Sequence, residues 1–357
     1  MSSKLHRCWP MSRNSGTNST ISKLKHFAMP ALIVLVIGCG QSTPASSSGS
    51  PTLTPTAVAT PTSSPTMVAG TGPSPRRSPS MAWDGASGRL MVFGGTDRNN
   101  QVQFGDTWEW DGTNWVRLDG GPSPSPRNGA SVAWDPTTKE LVLVGGVGTR
   151  NGTNFIYSDT WTWNGTTWAP AAPRPDELTG TIAWDPATAQ LLLIAAGRNP
   201  TTWVWDSSTW QPMMNDGIRD PNRPTGAVEM AFDPTRRQLL MAYGTGVTPP
   251  QLYAWNGSIW APLGLSLPTR SNAAVGLVTD QKSGHLMAVV AEGTFELTPN
   301  GWSKLSSAGS VESRVFAAVA YDPSLDVPIV FGGMSTLTSA LLEGGFAWKG
   351  AAWQRAW

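Results

Sequence analysis

The chain of 357 residues repeats one pattern six times between Ala82 and Trp357. Each copy has a marker aspartate, a doublet of mostly small residues that begins ten positions later, and two aromatic residues seven positions apart. The marker aspartates are Asp84, Asp135, Asp185, Asp233, Asp280 and Asp322. A period of 42 to 51 residues is the length of one propeller blade, so the copies predict six units of a single closed domain.

Each copy also suits four short strands. In the second copy they are predicted at 131–135, 140–145, 159–163 and 167–169, and a turn at 136–139 joins the first two. The second strand is apolar at almost every position, as in the run Leu-Val-Leu-Val at 141–144. A strand that does not alternate needs cover on both faces. Blades stacked face to face provide that cover.

A diglycine after an apolar strand, followed by two aromatic residues with six residues between them, resembles the kelch repeat. Gly94-Gly95 followed by Trp108 and Trp115 is one such copy. The resemblance covers residues 73–357 and implies an all-β fold, a six-bladed kelch-type β-propeller with four antiparallel strands per blade. No strand is left over for exchange between the terminal blades, so we expect side-chain packing to close the ring. Kelch propellers include protein-binding platforms, carbohydrate-handling proteins and the copper enzymes of the galactose-oxidase-like branch, so the fold leaves function open.

The N-terminal region predicts export and a lipid anchor. Residues 1–38 carry five basic residues and no acid before an apolar stretch at 27–38, too short to span a bilayer, which is typical of a signal peptide. The junction Val-Ile-Gly-Cys at 36–39 resembles a bacterial lipobox, which implies lipidation at Cys39 and an extracytoplasmic protein of the cell envelope. The alternative is an ordinary secretory signal that is cut elsewhere, and Met11 is an alternative start. Residues 39–75 are rich in Ser, Thr and Pro, which predicts a disordered tether before a propeller at 76–357.

Charge and metal-ligand content exclude several functions. Without the leader, 20 basic residues face 24 acidic ones, and a net charge of −4 argues against nucleic acid as a partner. Cys39 is then the only cysteine and His285 the only histidine. A copper-radical site of the galactose-oxidase kind needs two histidines and a cysteine, and zinc sites built from His and Cys fail likewise. We therefore expect no metal and no cofactor. We also expect a monomeric protein.

Loop lengths separate two faces of the predicted disc. Loops between second and third strands vary from about two residues to about twelve and share a face with the connections between blades, whereas the other turns are short. A variable face is where recognition usually lies. Amide-rich loops on it provide candidate ligand-binding residues: Asn99, Asn100, Gln101, Arg150, Asn151, Asn154 and Tyr157. The alternative is that these are ordinary solvated loops.

Three arginines, Arg76, Arg127 and Arg314, each lie eight residues before a marker aspartate. Because a guanidinium is a planar fork of donors, they are candidate ligands for a carboxylate, a phosphate or an acidic peptide. The alternative is local pairing with acids or carbonyl groups of the blades.

Carboxylates at the ends of the long loops, Asp106, Asp159 and Glu343, leave glycoside chemistry open, since paired acids cleave glycosides. Asp106 and Asp159 both directly precede Thr-Trp, which favours a structural role at the strand start, and no catalytic residue is assigned. The predicted function is a non-enzymatic, lipid-anchored kelch propeller that binds a protein or glycan through its variable-loop face. The alternative is a carbohydrate-active enzyme, a hydrolase or epimerase, with acids and arginines at the axial mouth.

Overall fold

A computed structural model describes residues 66–69, 72–150, 152–173, 180–195, 201–214, 216–217, 228–243, 249–269, 274–305, 311 and 314–357. The predicted signal peptide, Cys39 and most of the predicted tether lie outside the described residues. The described part of the chain is all-β. Within it, no helix is long and apolar enough to cross a membrane.

Six antiparallel sheets follow one another along the chain. The first blade contains β2 (Ser80–Asp84), β3 (Arg89–Phe93), β4 (Thr107–Trp110) and β5 (Trp115–Asp119), and β1 (Thr66–Ala69) pairs with β5 as a fifth strand. The second blade contains β6 (Ser131–Asp135) and β7 (Glu140–Val144), then a separate hairpin of β8 (Val147–Arg150) and β9 (Thr153–Ile156), then β10 (Thr160–Trp163) and β11 (Trp168–Ala171). The third blade contains β12 (Gly180–Asp185), β13 (Gln190–Ala195), β14 (Thr202–Trp205) and β15 (Trp210–Pro212). The strand β1 lies within the stretch predicted as tether.

The remaining three blades have the same strand order. The fourth contains β16 (Val228–Asp233), β17 (Gln238–Tyr243), β18 (Gln251–Trp255) and β19 (Trp260–Ser266). The fifth contains β20 (Ala274–Asp280), β21 (His285–Val290), β22 (Gly293–Thr298) and β23 (Gly301–Lys304). The sixth is preceded by β24 (Arg314–Val315) and contains β25 (Ala318–Asp322), β26 (Val327–Phe331), β28 (Gly345–Trp348) and β29 (Trp353–Arg355), while the short β27 (Met334–Ser335) pairs with β24.

The first strand of every blade lies at the centre of a ring. The strands β2, β6, β12, β16, β20 and β25 contact one another in this order, and β25 contacts β2. The predicted six-bladed propeller with four antiparallel strands per blade is therefore confirmed.

The marker aspartates build the turn between the first and second strands. In all six blades the carboxylate accepts a hydrogen bond from the backbone N–H two residues later, as in Ala86 N to Asp84 Oδ1 at 2.8 Å. A short side chain that caps its own turn explains why aspartate recurs at this position. The other oxygen of Asp84 accepts from the indole of Trp163 in the next blade at 3.1 Å, so this residue also joins two blades.

Neighbouring blades are joined by a second recurrent contact, between an indole N–H and a threonine hydroxyl. The four pairs are Trp168 with Thr107, Trp210 with Thr160, Trp260 with Thr202, and Trp353 with Thr294. Leu252 and Gly345 take the threonine position in blades four and six. The indole N–H groups of Trp302 and Trp115, which occupy the matching positions, are buried without a partner.

Side-chain packing closes the ring between blades six and one. One core cluster combines residues of both blades, including Leu90 and Ile329, which are both fully buried. Trp357 packs against it, with ring centroids 4.7 Å from Trp110 and 5.1 Å from Trp115. Gly345 makes room for this indole, since a Cβ there would lie 2.0 Å from the Trp357 ring. Each four-stranded sheet uses strands from one continuous stretch of chain, so closure without strand exchange is as predicted.

Candidate functional site

The loops between second and third strands and the entry segments of the blades lie at one edge of the sheets. Arg77 forms an isolated β-bridge with Thr96, Asn128 forms one with Val147, and β24 pairs with β27. We call this surface the variable face; its best-described parts are loops 94–106, 145–159 and 332–344 and entry segments 72–79, 121–130 and 314–317. The structure thus places the long loops and the blade connections together, as the loop lengths predict.

The diglycine of one blade holds the entry segment of the next. Gly95 donates its N–H to the Arg127 carbonyl oxygen at 2.8 Å, and Gly333 donates to the Arg76 carbonyl oxygen at 2.9 Å. A Cβ at Gly94, whose φ is +66°, would lie 2.6 Å from the Arg127 carbonyl oxygen. Both the positive φ and the close approach require glycine. The repeat doublet therefore positions the arginine that follows it in the ring.

Arg76 is buried and forms an ion pair with a carboxylate of its own blade. Its Nη1 and Nη2 donate to the two oxygens of Asp106 at 2.6 and 3.0 Å, and Nη1 also donates to the Gly94 carbonyl oxygen at 3.0 Å. The guanidinium carbon lies 4.2 Å from the ring centroid of Phe104. The indole of Trp108 donates to the same carboxylate at 2.7 Å.

The electrostatics of this pair favour the carboxylate anion. Burial by itself would raise the pKa of Asp106, but the hydrogen bonds and charge of Arg76 and the Trp108 N–H outweigh burial, so the pKa of Asp106 lies below its usual range. An acid held in this way is a structural anion and a poor proton donor.

Arg127 repeats the arrangement in the second blade. Its Nη2 donates to Asp159 Oδ2 at 2.8 Å, Nη1 donates to the other carboxylate oxygen and to the Gly145 carbonyl oxygen, and Trp161 donates to Asp159 at 2.8 Å. The Tyr157 ring centroid lies 3.7 Å from the guanidinium carbon. The local-pairing alternative thus describes Arg76 and Arg127, and the structural interpretation of Asp106 and Asp159 agrees with both pairs.

Arg314 is equally buried but has no carboxylate partner among the described residues. Its Nη1 donates to the Gly332 carbonyl oxygen at 2.7 Å, and its guanidinium carbon lies 4.5 Å from the ring centroid of Phe346. Burial and the charge of Arg355 lower the pKa of Arg314 to about 10. Arg314 remains a cation at neutral pH.

The other candidate ligand-binding residues form the outer layer of the variable face. Asn99, Gln101 and Asn154 are exposed, and Asn100 has a φ of +59° in the tight turn of its loop. Thr149 hydrogen-bonds to both Asn154 and Gln103, which joins the loops of blades one and two. The Arg150 side chain and Asn151 lie outside the described residues. Ligand binding by this set stays a prediction.

The variable face also carries exposed apolar side chains that no sequence pattern indicates. Six large apolar side chains are exposed within the described ranges, and four of them lie on the variable face: Val102, Ile156, Phe316 and Leu337. Of the other two, Met214 follows β15, and Ile259 lies in a hairpin turn at the opposite face. A cleft of about 590 Å³ opens between blades one and two, and its lining includes Gln103, Phe104 and Arg117 but none of these apolar residues.

The candidate acids at the ends of the long loops lie in different environments. Glu343 is exposed, and Asp106 and Asp159 are bound by arginines. Glu229, on the first strand of blade four, was missed from the sequence; burial raises its pKa to about 8. Burial is the cause of that shift. The described residues hold no cluster of His, Cys, Asp and Glu suited to a metal ion.

Comparisons with known proteins agree with the fold. No family model matches the chain, and no curated protein matches it. Among solved structures, the chain is similar to YjhT, with 13% identity, a TM-score of 0.56 and coverage of 79% of this chain and 98% of that one. It is also similar to a triple arginine-to-alanine variant of AofleA from Arthrobotrys oligospora, with 12% identity, a TM-score of 0.51 and coverage of 78% and 85%. Both are kelch-like propellers, and at this identity the likeness shows the fold alone.

Proposed function

We propose that this protein is a non-enzymatic kelch-type propeller that binds a protein partner through its variable face. One observation carries the proposal: four of the six exposed large apolar side chains of the described residues lie on that face. Large apolar groups concentrated on one surface are typical of protein-binding sites. Leu337 is 83% exposed, so it is free to enter a partner's surface.

The frame behind these side chains supports a binding role. The buried pairs of Arg76 with Asp106 and Arg127 with Asp159 fix the loop ends to the blade entries, so the exposed loops start from defined positions. A preorganised surface loses less conformational entropy on binding. The protein partner is favoured over a glycan because the exposed groups are mainly aliphatic, whereas sugars stack on aromatic rings, and most of the tryptophans here are buried.

We also propose that the propeller acts outside the cytoplasm, held to a membrane by a lipid on Cys39. The lipobox-like sequence before Cys39 and the uncharged stretch at 41–75 support this part of the proposal. Metabolic labelling with an alkyne fatty acid tests it. Wild type should incorporate the label and fractionate with membranes, and Cys39→Ser should do neither; a labelled Cys39→Ser protein would contradict the anchor.

Surface variants test the binding face. A variant with Val102→Ser, Ile156→Ser and Leu337→Ser should lose at least about tenfold in affinity for an envelope protein captured by wild type, since burying one such side chain contributes about 1.5–3 kcal/mol. The matched control is Ile259→Ser, which removes a similarly exposed side chain from the opposite face and should bind as wild type does. Equal binding by both variants would contradict the proposal. Binding to a glycan array that the triple variant leaves unchanged would favour the glycan alternative.

A further inference from the structure

The sixth blade has the arginine of the buried ion pairs but neither the aspartate nor the tryptophan that accompany it in blades one and two. Arg314 occupies the place of Arg76 and Arg127: it lies eight residues before a marker aspartate, is 2% exposed and donates to the first carbonyl oxygen of the diglycine. Gly344 takes the position of Asp106, two residues before the third-strand aromatic. That aromatic is Phe346, which lacks the N–H with which Trp108 holds the carboxylate.

This leaves a buried cation with unused donors. Among the residues that the structure describes, the buried Nε of Arg314 has no hydrogen-bond partner, and only Nη1 is bonded, to the Gly332 carbonyl oxygen. In Arg76 the same Nε donates to the Ser74 carbonyl oxygen, and Nη1 and Nη2 both reach a carboxylate. A buried charge without a counter-ion is costly, so an anion that reaches Arg314 is strongly favoured.

A second guanidinium reaches the same place from the surface. The Nη2 and Nε of Arg355 lie 3.3 and 3.4 Å from the position that a Cβ of Gly344 would take. Arg355 is exposed, and its Nε donates to the Trp357 carbonyl oxygen at 2.8 Å. Its positive charge contributes to lowering the pKa of Arg314. Two like charges therefore lie near each other where blades one and two hold a carboxylate, and the outer one is open to solvent.

We propose that Arg314 and Arg355 form a binding site for the carboxylate group of an external ligand. The ligand carboxylate takes the role that Asp106 and Asp159 play for Arg76 and Arg127, and it accepts hydrogen bonds from a planar fork of donors, the geometry that suits a carboxylate best. Gly344 has no side chain, and the atom nearest to the position of a Cβ there is the Trp357 carbonyl oxygen at 2.8 Å, which accepts from Arg355. The inference is independent of the proposed protein partner, because a small carboxylate is enough to fill the site.

Calorimetric titration of the full chain tests the site. The probes are acetate and glucuronate, with glucose as the counterpart that lacks a carboxylate. Wild type should bind both carboxylates saturably, with a Kd of about 1 mM or tighter, and should not bind glucose. Arg355→Gln should weaken glucuronate binding at least about tenfold, because it removes the charged hydrogen-bond donors of the guanidinium. Arg314→Gln should abolish it.

The control is Arg117→Gln, which removes another exposed arginine in blade one and should leave the affinity unchanged. Arg355 is a surface residue, so its variant keeps the test valid if Arg314→Gln does not fold. Unchanged affinity in Arg355→Gln, or no saturable binding to wild type, would overturn the site. Chloride or phosphate competing as strongly as acetate would overturn the assignment to a carboxylate.

Discussion

Removal of the Asp106 carboxylate should destabilise the propeller far more than removal of an exposed one. Asp106→Asn leaves Arg76, which is 1% exposed, without a described counter-ion. In wild type the two guanidinium donors lie 2.6 and 3.0 Å from the carboxylate oxygens, and in the variant an amide N–H₂ takes the place of one of these oxygens. Breaking a buried pair by removing one partner costs about 3–5 kcal/mol, because the remaining charge is uncompensated.

The chain supplies its own control. Arg117 and Asp119 form an ion pair at 2.9 Å, but their side chains are 47% and 43% exposed. An exposed pair contributes about 0–1 kcal/mol, so Asp119→Asn should cost no more than that. Urea unfolding of both variants and wild type at pH 7 measures the difference. A cost for Asp106→Asn within about 1 kcal/mol of that for Asp119→Asn would refute the reasoning.

The pH dependence gives a second check on the same pair. The pKa of Asp106 is lowered in the folded state, so its stabilisation is present above its unfolded pKa near 3.8 and is lost as the pH falls through the folded value. The difference between wild type and Asp106→Asn should therefore be constant above about pH 5 and shrink below about pH 4. A difference that grows on acidification would have the wrong sign.

Three further predictions concern other contacts of the ring. The folded pKa of Glu229 is raised to about 8, so wild type loses stability as the pH rises from about 5 to 8. Glu229→Gln should therefore become more stable than wild type over that range, by up to about 1.4 kcal/mol per pH unit. A difference in urea midpoint between variant and wild type that is equal at pH 5 and pH 8 would contradict this. Trp163→Ala should cost about 3–5 kcal/mol in urea unfolding, since its indole is 2% exposed; a cost under about 1 kcal/mol would argue against its place in the core. Thr202→Val should cost about 1–3 kcal/mol, because it leaves the buried N–H of Trp260 unpaired and removes the hydroxyl that donates to Asp216; an unchanged unfolding midpoint would show that these two bonds add nothing.

Much of the fold follows from the repeat because each repeated position has a local task. The marker aspartate caps a turn, the apolar run forms a second strand that is covered on both faces, and the doublet contacts the entry segment of the next blade. In blade two the predicted first strand, 131–135, matches β6 at both ends, and the other three agree within two residues. Elements outside the period, namely β1, the β8–β9 hairpin and the β24–β27 pair, carry no repeated signal and were not predicted.

The candidate site was harder to predict because its residues meet only in the folded ring. Arginine is mostly exposed in proteins, so Arg76 and Arg127 suggested ligand binding, although the structure buries both against carboxylates about 30 residues away. One signal was present: in copies one and two an arginine at the blade entry occurs together with an aspartate before Thr-Trp, whereas copy six keeps the arginine alone. The exposed apolar residues are scattered in sequence, so no local pattern marks them.

The central claim is that the variable face is the binding face, and site-specific photo-crosslinking in the source cells tests it most directly. A photoreactive amino acid in place of Leu337 lies on that face, and one in place of Ile259 lies on the opposite face. Each replaces an exposed apolar side chain. The account predicts a discrete crosslinked adduct from position 337 and none from position 259. Adducts from position 259 alone, or equal adducts from both positions, would contradict it.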